Sequence, residues 1–386
     1  MATHSVLANL PSTELHARIK AHPHMTSPVP ADRQENGLKI ISAASAFPRH
    51  YYPQRVLTDA FRRYWGDSLD NPRLLERLHG RTGVDGRFLA LPLERYIAMQ
   101  SWGEANNAWI EAAEELGQQA ICRALTRVWL HPSDLGALLF TSITGISSPS
   151  IDARLINTMG LSPNIRRTPI FGLGCVGGAA GITRAADYVR AYPDQIAAVL
   201  AVEICSLTLQ KDDLSVANLI SSGLFGDGSA AVLVAGAACE LPGPRILGTR
   251  SVFYPDTEDV MGWDISEKGL RVVLTPEVPE VVRRHLRADV DGFLANFGLT
   301  RRDIGCWVLH TGGPKVLEAT QEALEIDRAA LAASWDCLRK TGNLSSASVL
   351  CVLEEIMTRR RPEPGTWSVL AAMGPGFCAE FVLLRW

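Results

Sequence analysis

The sequence predicts an α/β protein made of two similar halves packed face to face, because three kinds of segment recur in the same order in each half. Asp303-Ile-Gly-Cys-Trp-Val-Leu-His-Thr311 repeats the Asp-aliphatic-Gly opening, apolar run and polar close of Asp134 to Ser142. Gly342-Asn-Leu-Ser-Ser-Ala-Ser348 repeats the glycine-led, small-residue stretch Gly174 to Ala180, and Gly374 to Val382 repeats Gly226 to Val234. Short apolar runs between glycine-rich turns and Ala-rich helical patterns supply the strands and helices of each half.

In chain order, residues 1–36 hold Pro11, Pro23, Pro28 and Pro30 and little periodicity, and read as a poorly ordered extension with one short helix near Ser12 to Lys20. The first half spans 37–240. It opens on a strand from Leu38, continues through a charged helical region to Leu78, and carries a long helix over 103–130 that leads into the Asp134–Ser142 strand. Thr168 to Tyr192 reads as strand, glycine-rich turn and amphipathic helix, followed by the strand Ala197 to Cys205 and the loop and strand Phe225 to Val234. Leu241-Pro-Gly-Pro244 marks the boundary, and 245–386 forms the second half.

Composition narrows the function. With 386 residues and 47% hydrophobic content the chain can bury a large core, and 38 basic against 41 acidic residues argue against a nucleic-acid partner. The basic triplet Arg359-Arg360-Arg361 reads as a solvated helix end. Eight cysteines without a C-x-x-C or a histidine at ligand spacing argue against structural zinc, so no metal is expected. No apolar run reaches the roughly 20 residues of a membrane helix and no signal sequence is evident, which predicts a cytoplasmic setting with free thiols. His50, His79 and His131 lack any motif and read as structural or surface residues.

The chemistry is expected at Cys175. A thiol on the first turn of a helix faces unpaired N–H groups and the positive end of the macrodipole, which favour thiolate. Two other readings compete: an inert buried cysteine, and a dinucleotide site, since Gly172-Leu-Gly-Cys-Val-Gly177 is a literal G-x-G-x-x-G and Glu203 sits where a ribose-binding acid would. The rest of the chain bears on the choice, beginning with the repeat. It sets Asn343 at the position equivalent to Cys175 and puts His310 at the end of the neighbouring strand, although alone each reads as an N-cap and a structural histidine. A Cys/His/Asn set suits acyl transfer through a thioester: the thiolate holds the acyl group while His310 and Asn343 hydrogen-bond an enolate oxygen.

Gly-Cys175-Val-Gly-Gly, Leu-Phe225-Gly-Asp-Gly, His310-Thr-Gly-Gly-Pro-Lys, Gly-Asn343-Leu-Ser-Ser-Ala-Ser and the terminal Gly374-Pro-Gly appear together and in order. In this the chain resembles the type III polyketide synthases, the chalcone synthase family, over residues 38–386. The resemblance implies a thiolase fold of five layers, αβαβα, and a homodimer that takes acyl-CoA and malonyl-CoA and needs no cofactor. It also implies roles: Cys175 as nucleophile, His310 and Asn343 as the decarboxylation and oxyanion pair, and Phe225 as a gatekeeper. Gly374, Pro375 and Gly376 match the cyclisation loop.

Val272 matches a second gatekeeper that the plant enzymes usually keep as Phe, and Trp263 a position they often keep as Gly. Thr208 and Ser345 match cavity-lining positions, Ser148 the loop that reaches across the dimer, and Arg55 and Arg62 groups that meet coenzyme A phosphates. Val272 implies a wider passage and hence an aliphatic or fatty starter closed to an alkylpyrone or alkylresorcinol. The alternatives are a malonyl-primed tetrahydroxynaphthalene-type synthase and a ketoacyl-ACP synthase III. A dinucleotide-dependent oxidoreductase and a non-catalytic scaffold on the same fold stand further off.

Overall fold

The computed structural model describes residues 37–69 and 71–386; the extension and short helix expected before residue 37 lie outside them. The chain begins with β1 (Lys39–Ala46), β2 (His50–Pro53), α1 (Gln54–Trp65), α2 (Pro72–Gly80), β3 (Gly86–Leu89), α3 (Leu93–Ala98) and α4 (Trp102–Thr126). It continues through β4 (Leu135–Thr141), α5 (Ile151–Met159), β5 (Arg166–Ile170), α6 (Gly177–Ala191), β6 (Ile196–Ile204), α7 (Val216–Leu224) and β7 (Asp227–Ala235). The rest is β8 (Arg245–Phe253), β9 (Met261–Ser266), β10 (Gly269–Leu274), α8 (Val278–Ala295), β11 (Ile304–Leu309), α9 (Pro314–Leu324), α10 (Ala332–Thr341), α11 (Ala347–Arg359), β12 (Trp367–Gly374) and β13 (Cys378–Arg385).

Nine strands run in the order β11-β12-β13-β8-β1-β7-β6-β4-β5. The order divides into two leaves at β8 and β1, whose register is a single pair, Lys39 opposite Arg245. In the first leaf β4 pairs parallel with β6, β6 antiparallel with β7, and β7 antiparallel with β1. In the second, β11 pairs parallel with β12, β12 antiparallel with β13, and β13 antiparallel with β8. The duplication read from the sequence is therefore a duplication of topology. The β9–β10 hairpin, which no sequence signal marked, lies outside both leaves.

Side chains alternate across each strand, so each leaf must bury two faces. Leu139, Val199 and Val232 of the first leaf and Leu370 and Leu384 of the second face a shared inner layer built from Ile182 of α6 and Leu350 and Leu353 of α11. Their neighbours Leu138, Leu200 and Leu233 face the opposite way, onto Leu116 and Ile121 of α4 and Leu155 of α5. Val369, Phe381 and Leu383 face Val282, Leu286 and Phe293 of α8 and Leu317 of α9. The result is five layers, αβαβα, as the resemblance implied. The inner layer is thin because α6 begins with small residues: a Cβ on Gly178 would stand 2.2 Å from the Ser346 carbonyl oxygen. That close approach brings the starts of α6 and α11, and so Cys175 and Asn343, to one place.

Candidate active site

Cys175 lies in a 3₁₀ turn, Gly174–Val176, that feeds directly into α6. Its thiol is buried, with Sγ 3.7 Å from the Ser345 hydroxyl. Asn343 lies at the matching entry to α11. Its carboxamide oxygen accepts from the Ser345 N–H at 2.8 Å and the Ser348 hydroxyl at 3.3 Å, which leaves the NH₂ end to donate elsewhere. His310 follows β11, its N–H bonded to the Ala371 carbonyl at 3.1 Å. Among the described residues neither ring nitrogen of this buried histidine has a hydrogen-bond partner. One cavity of about 510 Å³ is lined by Cys175, His310, Asn343 and Phe225, with Met373 and Phe377 closing it from the β12–β13 turn.

The electrostatics correct one expectation. The helix start was expected to favour the Cys175 thiolate, but burial outweighs it and pushes the thiol up to about 12. The buried Glu203 carboxylate adds to that rise, while hydrogen bonds from Ser345 and Asn343 oppose it. Burial likewise lowers His310 to about 4. Both directions describe charges formed alone. A proton passed from sulfur to imidazole creates two opposite charges in one cavity, and their attraction offsets part of each penalty. At neutral pH the site thus holds a neutral thiol and a neutral imidazole whose ring nitrogens have no partner among the described residues.

Phe225 separates this cavity from a second one of about 110 Å³, and it lines both. Its backbone is tied to the catalytic turn: Asn343 N donates to Leu224 O at 2.9 Å and Gly226 N to Asn343 O at 3.0 Å. Val272, Trp263 and Thr208 line the smaller cavity. Trp263 and Val272 are directly opposed across the β9–β10 hairpin. Hence the space that Val272 leaves, relative to a Phe, has an indole beside it.

The remaining predicted residues divide. Gly374, Pro375 and Gly376 form the β12–β13 turn, packed so closely on the nucleophile that a Cβ on Gly374 would stand 2.6 Å from Val176 N. Ser148 is exposed and lines neither cavity of the single chain. Arg55 and Arg62 are also exposed and line neither cavity; Arg62 instead pairs with Asp59 at 3.4 Å and Glu76 at 3.3 Å. The exposed cations on the wall of the larger cavity are Arg81 and Lys315. Lys315 stood in the sequence directly after His310-Thr-Gly-Gly-Pro, whereas Arg81 had no distinguishing signal.

Glu203, the would-be ribose acid, is fully buried and accepts from Ser142, Thr144, the Ile143 N–H and the Ser346 hydroxyl, so no nucleotide reaches it. His79 is buried as expected of a structural histidine, bonded to Thr58, Ser222 and the Leu219 carbonyl.

A fold of two such halves, with its thiol at the start of one inner helix, is that of the thiolase-type condensing enzymes. The chain matches the N-terminal domain model of the chalcone and stilbene synthases over residues 30–238 and the C-terminal domain model over 246–386. It belongs to that family, the type III polyketide synthases, which are acyltransferases that perform decarboxylative Claisen condensation on acyl-CoA and malonyl-CoA. It is similar to a 1,3,6,8-tetrahydroxynaphthalene synthase of Streptomyces peucetius subsp. caesius, 49% identical over 355 residues, covering 91% of this chain and 94% of the relative. A 3,5-dihydroxyphenylacetyl-CoA synthase of Streptomyces toyocaensis is 32% identical over 358 residues, 90% of each chain. Among solved structures, the 1,3,6,8-tetrahydroxynaphthalene synthase of Streptomyces coelicolor A3(2) superposes with a TM-score of 0.86 at 32% identity, covering 90% of this chain and 99% of that one.

Proposed function

We propose that the protein is a malonyl-primed synthase that extends a malonyl starter with further malonyl-CoA and closes the chain to a tetrahydroxynaphthalene-type product. The observation that carries this reading is the Trp263–Val272 pair in the small cavity beyond Phe225. A short starter and a chain grown from malonyl units fit beside the indole; a long alkyl tail would have to displace it. The similarity to the Streptomyces peucetius enzyme supports the same reading.

In this reading Cys175 sulfur attacks the starter thioester as His310 takes the thiol proton, and the departing coenzyme A thiolate recovers it. Malonyl-CoA then places its thioester oxygen between the His310 and Asn343 donors. The bond to the carboxylate breaks, carbon dioxide leaves past the apolar Phe225 ring, and the enolate carbon attacks the Cys175 acyl carbonyl, whose bond to sulfur breaks, so that Cys175 leaves as thiolate and the lengthened chain stays on coenzyme A. Arg81 and Lys315 would meet the phosphates of coenzyme A as point charges. The protein acts as a homodimer, for which the free edge strand β5, exposed from Arg166 to Pro169, offers a surface.

A second reading, an aliphatic starter closed to an alkylpyrone or alkylresorcinol, is favoured by Val272 itself and by the apolar lining from Leu57, Phe61 and Leu209. Product identification separates the two. Incubation with malonyl-CoA alone should give the aromatic product, and Trp263→Gly should gain turnover with longer acyl-CoAs. No product from malonyl-CoA alone, with rapid use of long acyl-CoAs by the unaltered protein, would reverse the assignment.

A further inference from the structure

Two residues of the proposed condensation, Phe225 and Asn343, come from opposite halves of the chain, and a third side chain lies against the backbone of both. Arg87, on β3, is buried, and its Nη1 donates to the Phe225 carbonyl at 2.8 Å. Its stem fills the crevice between the two strands of chain that carry these residues. A Cβ on Gly342, next to Asn343, would stand 3.2 Å from Arg87 Cδ, and one on Gly226, next to Phe225, 3.5 Å from Arg87 Cβ. Both positions are glycine, and both are already close to backbone: Gly342 to the Leu224 carbonyl and Gly226 to the Thr341 carbonyl. Across the same junction run the Asn343–Leu224 and Gly226–Asn343 hydrogen bonds and the parallel bridge of Phe225 with Asn343.

The side chain sits there at a cost. Its Nε is buried without a partner among the described residues, and an unmet buried donor is unfavourable. Its charge faces Asp227, the residue after Gly226, whose carboxylate is held by the Ala90 N–H and by the N–H and hydroxyl of Ser206. A packed apolar side chain would fill the crevice without that penalty, but it would not hold the Phe225 carbonyl.

We propose that Arg87 is a positioning residue that keeps the Phe225 ring and the Asn343 carboxamide in fixed register, so that carboxylate loss and enolate stabilisation occur at one point. The inference rests on the roles given to Phe225 and Asn343 above. Arg87 also borders the smaller cavity, but its part in the condensation runs through the two residues it spaces. Loading of Cys175 depends on sulfur and His310 and should be spared.

The test uses the full chain with Arg87→Lys and Arg87→Met, each compared with the unaltered protein in two steps: acylation of Cys175 by an accepted starter, read by intact-protein mass spectrometry, and carbon dioxide release from malonyl-CoA. Arg87→Met should acylate within about threefold of the unaltered rate yet lose at least tenfold in kcat for decarboxylation, with KM for malonyl-CoA changed less than threefold. Arg87→Lys, which retains one donor, should recover part of that loss.

If Arg87→Met does not fold because Asp227 loses the positive charge near it, the double variant Arg87→Met/Asp227→Asn removes both charges and is measured instead. Decarboxylation at the unaltered kcat in a folded variant overturns the proposal. So does an equal fall in acylation and decarboxylation, or a double variant that does not fold, since either makes Arg87 a support of the fold alone. Failure of the unaltered protein to decarboxylate malonyl-CoA would instead overturn the proposed function.

Discussion

Replacing His310 with Gln removes the proton acceptor from the cavity while keeping a side chain of similar polarity. Burial, with a smaller push from Glu203, holds the Cys175 thiol at about 12 even with the imidazole in place, so only about one molecule in 10⁵ carries a thiolate at pH 7, and reaction there depends on a positioned base, worth typically about 10²–10⁴-fold. An ordinary cysteine near 8.5 would carry it in roughly 3% at the same pH, about three thousandfold more. The assay is alkylation of Cys175 by iodoacetamide, followed by peptide mass spectrometry across pH 6 to 11. His310→Gln should alkylate at least about a hundredfold more slowly than the unaltered protein at pH 7, and its rate should climb close to tenfold per pH unit through the alkaline range. The sign follows from the direction of the shift: a thiol pushed up gains thiolate only as pH rises. Equal rates and matching pH profiles for the two proteins would show that His310 does not accept the Cys175 proton.

Two further outcomes test the site and its scaffold. Asn343→Ala should slow malonyl-CoA decarboxylation at least about tenfold, measured as carbon dioxide release, because one enolate donor is lost; an unchanged rate removes Asn343 from that role. Gly178→Ala should lower the unfolding free energy, read by urea titration, by about 3 kcal/mol or more, the upper end of the roughly 1–3 kcal/mol typical of overpacking, because the clash at 2.2 Å is with the Ser346 main chain, which cannot swing aside as a side chain can. An unaltered midpoint would mean that α6 and α11 have room to separate.

Much of the site was legible in sequence because its chemistry sits on turns. Cys175 and Asn343 each follow a glycine and His310 stands two residues before one, all at the mouth of a regular element, and the internal repeat relates the first and the last. The cavity walls were less legible. Val272 taken alone implied a wider passage, and only the hairpin register set Trp263 opposite it. Arg55 and Arg62 were expected to meet coenzyme A, but they point outside the cavity that Arg81 and Lys315 line, because which face of a helix or loop borders a cavity depends on what packs against it.

Arg87 had no motif around it, and the pattern that ended in Glu203 pointed to a ribose acid rather than to a buried carboxylate. Their placement is a matter of burial, Glu203 under four kinds of donor from both halves and Arg87 in a crevice between two glycines. The sequence by itself determined the two α/β halves and the turns that carry Cys175, His310 and Asn343 to one cavity, since these follow from local periodicity, turn residues and a repeat written in the chain. Only the tertiary structure decided the protonation of the thiol and the size and lining of the space beyond Phe225, because desolvation and cavity shape are set by residues far apart in the chain that meet only when the leaves close on their inner helices.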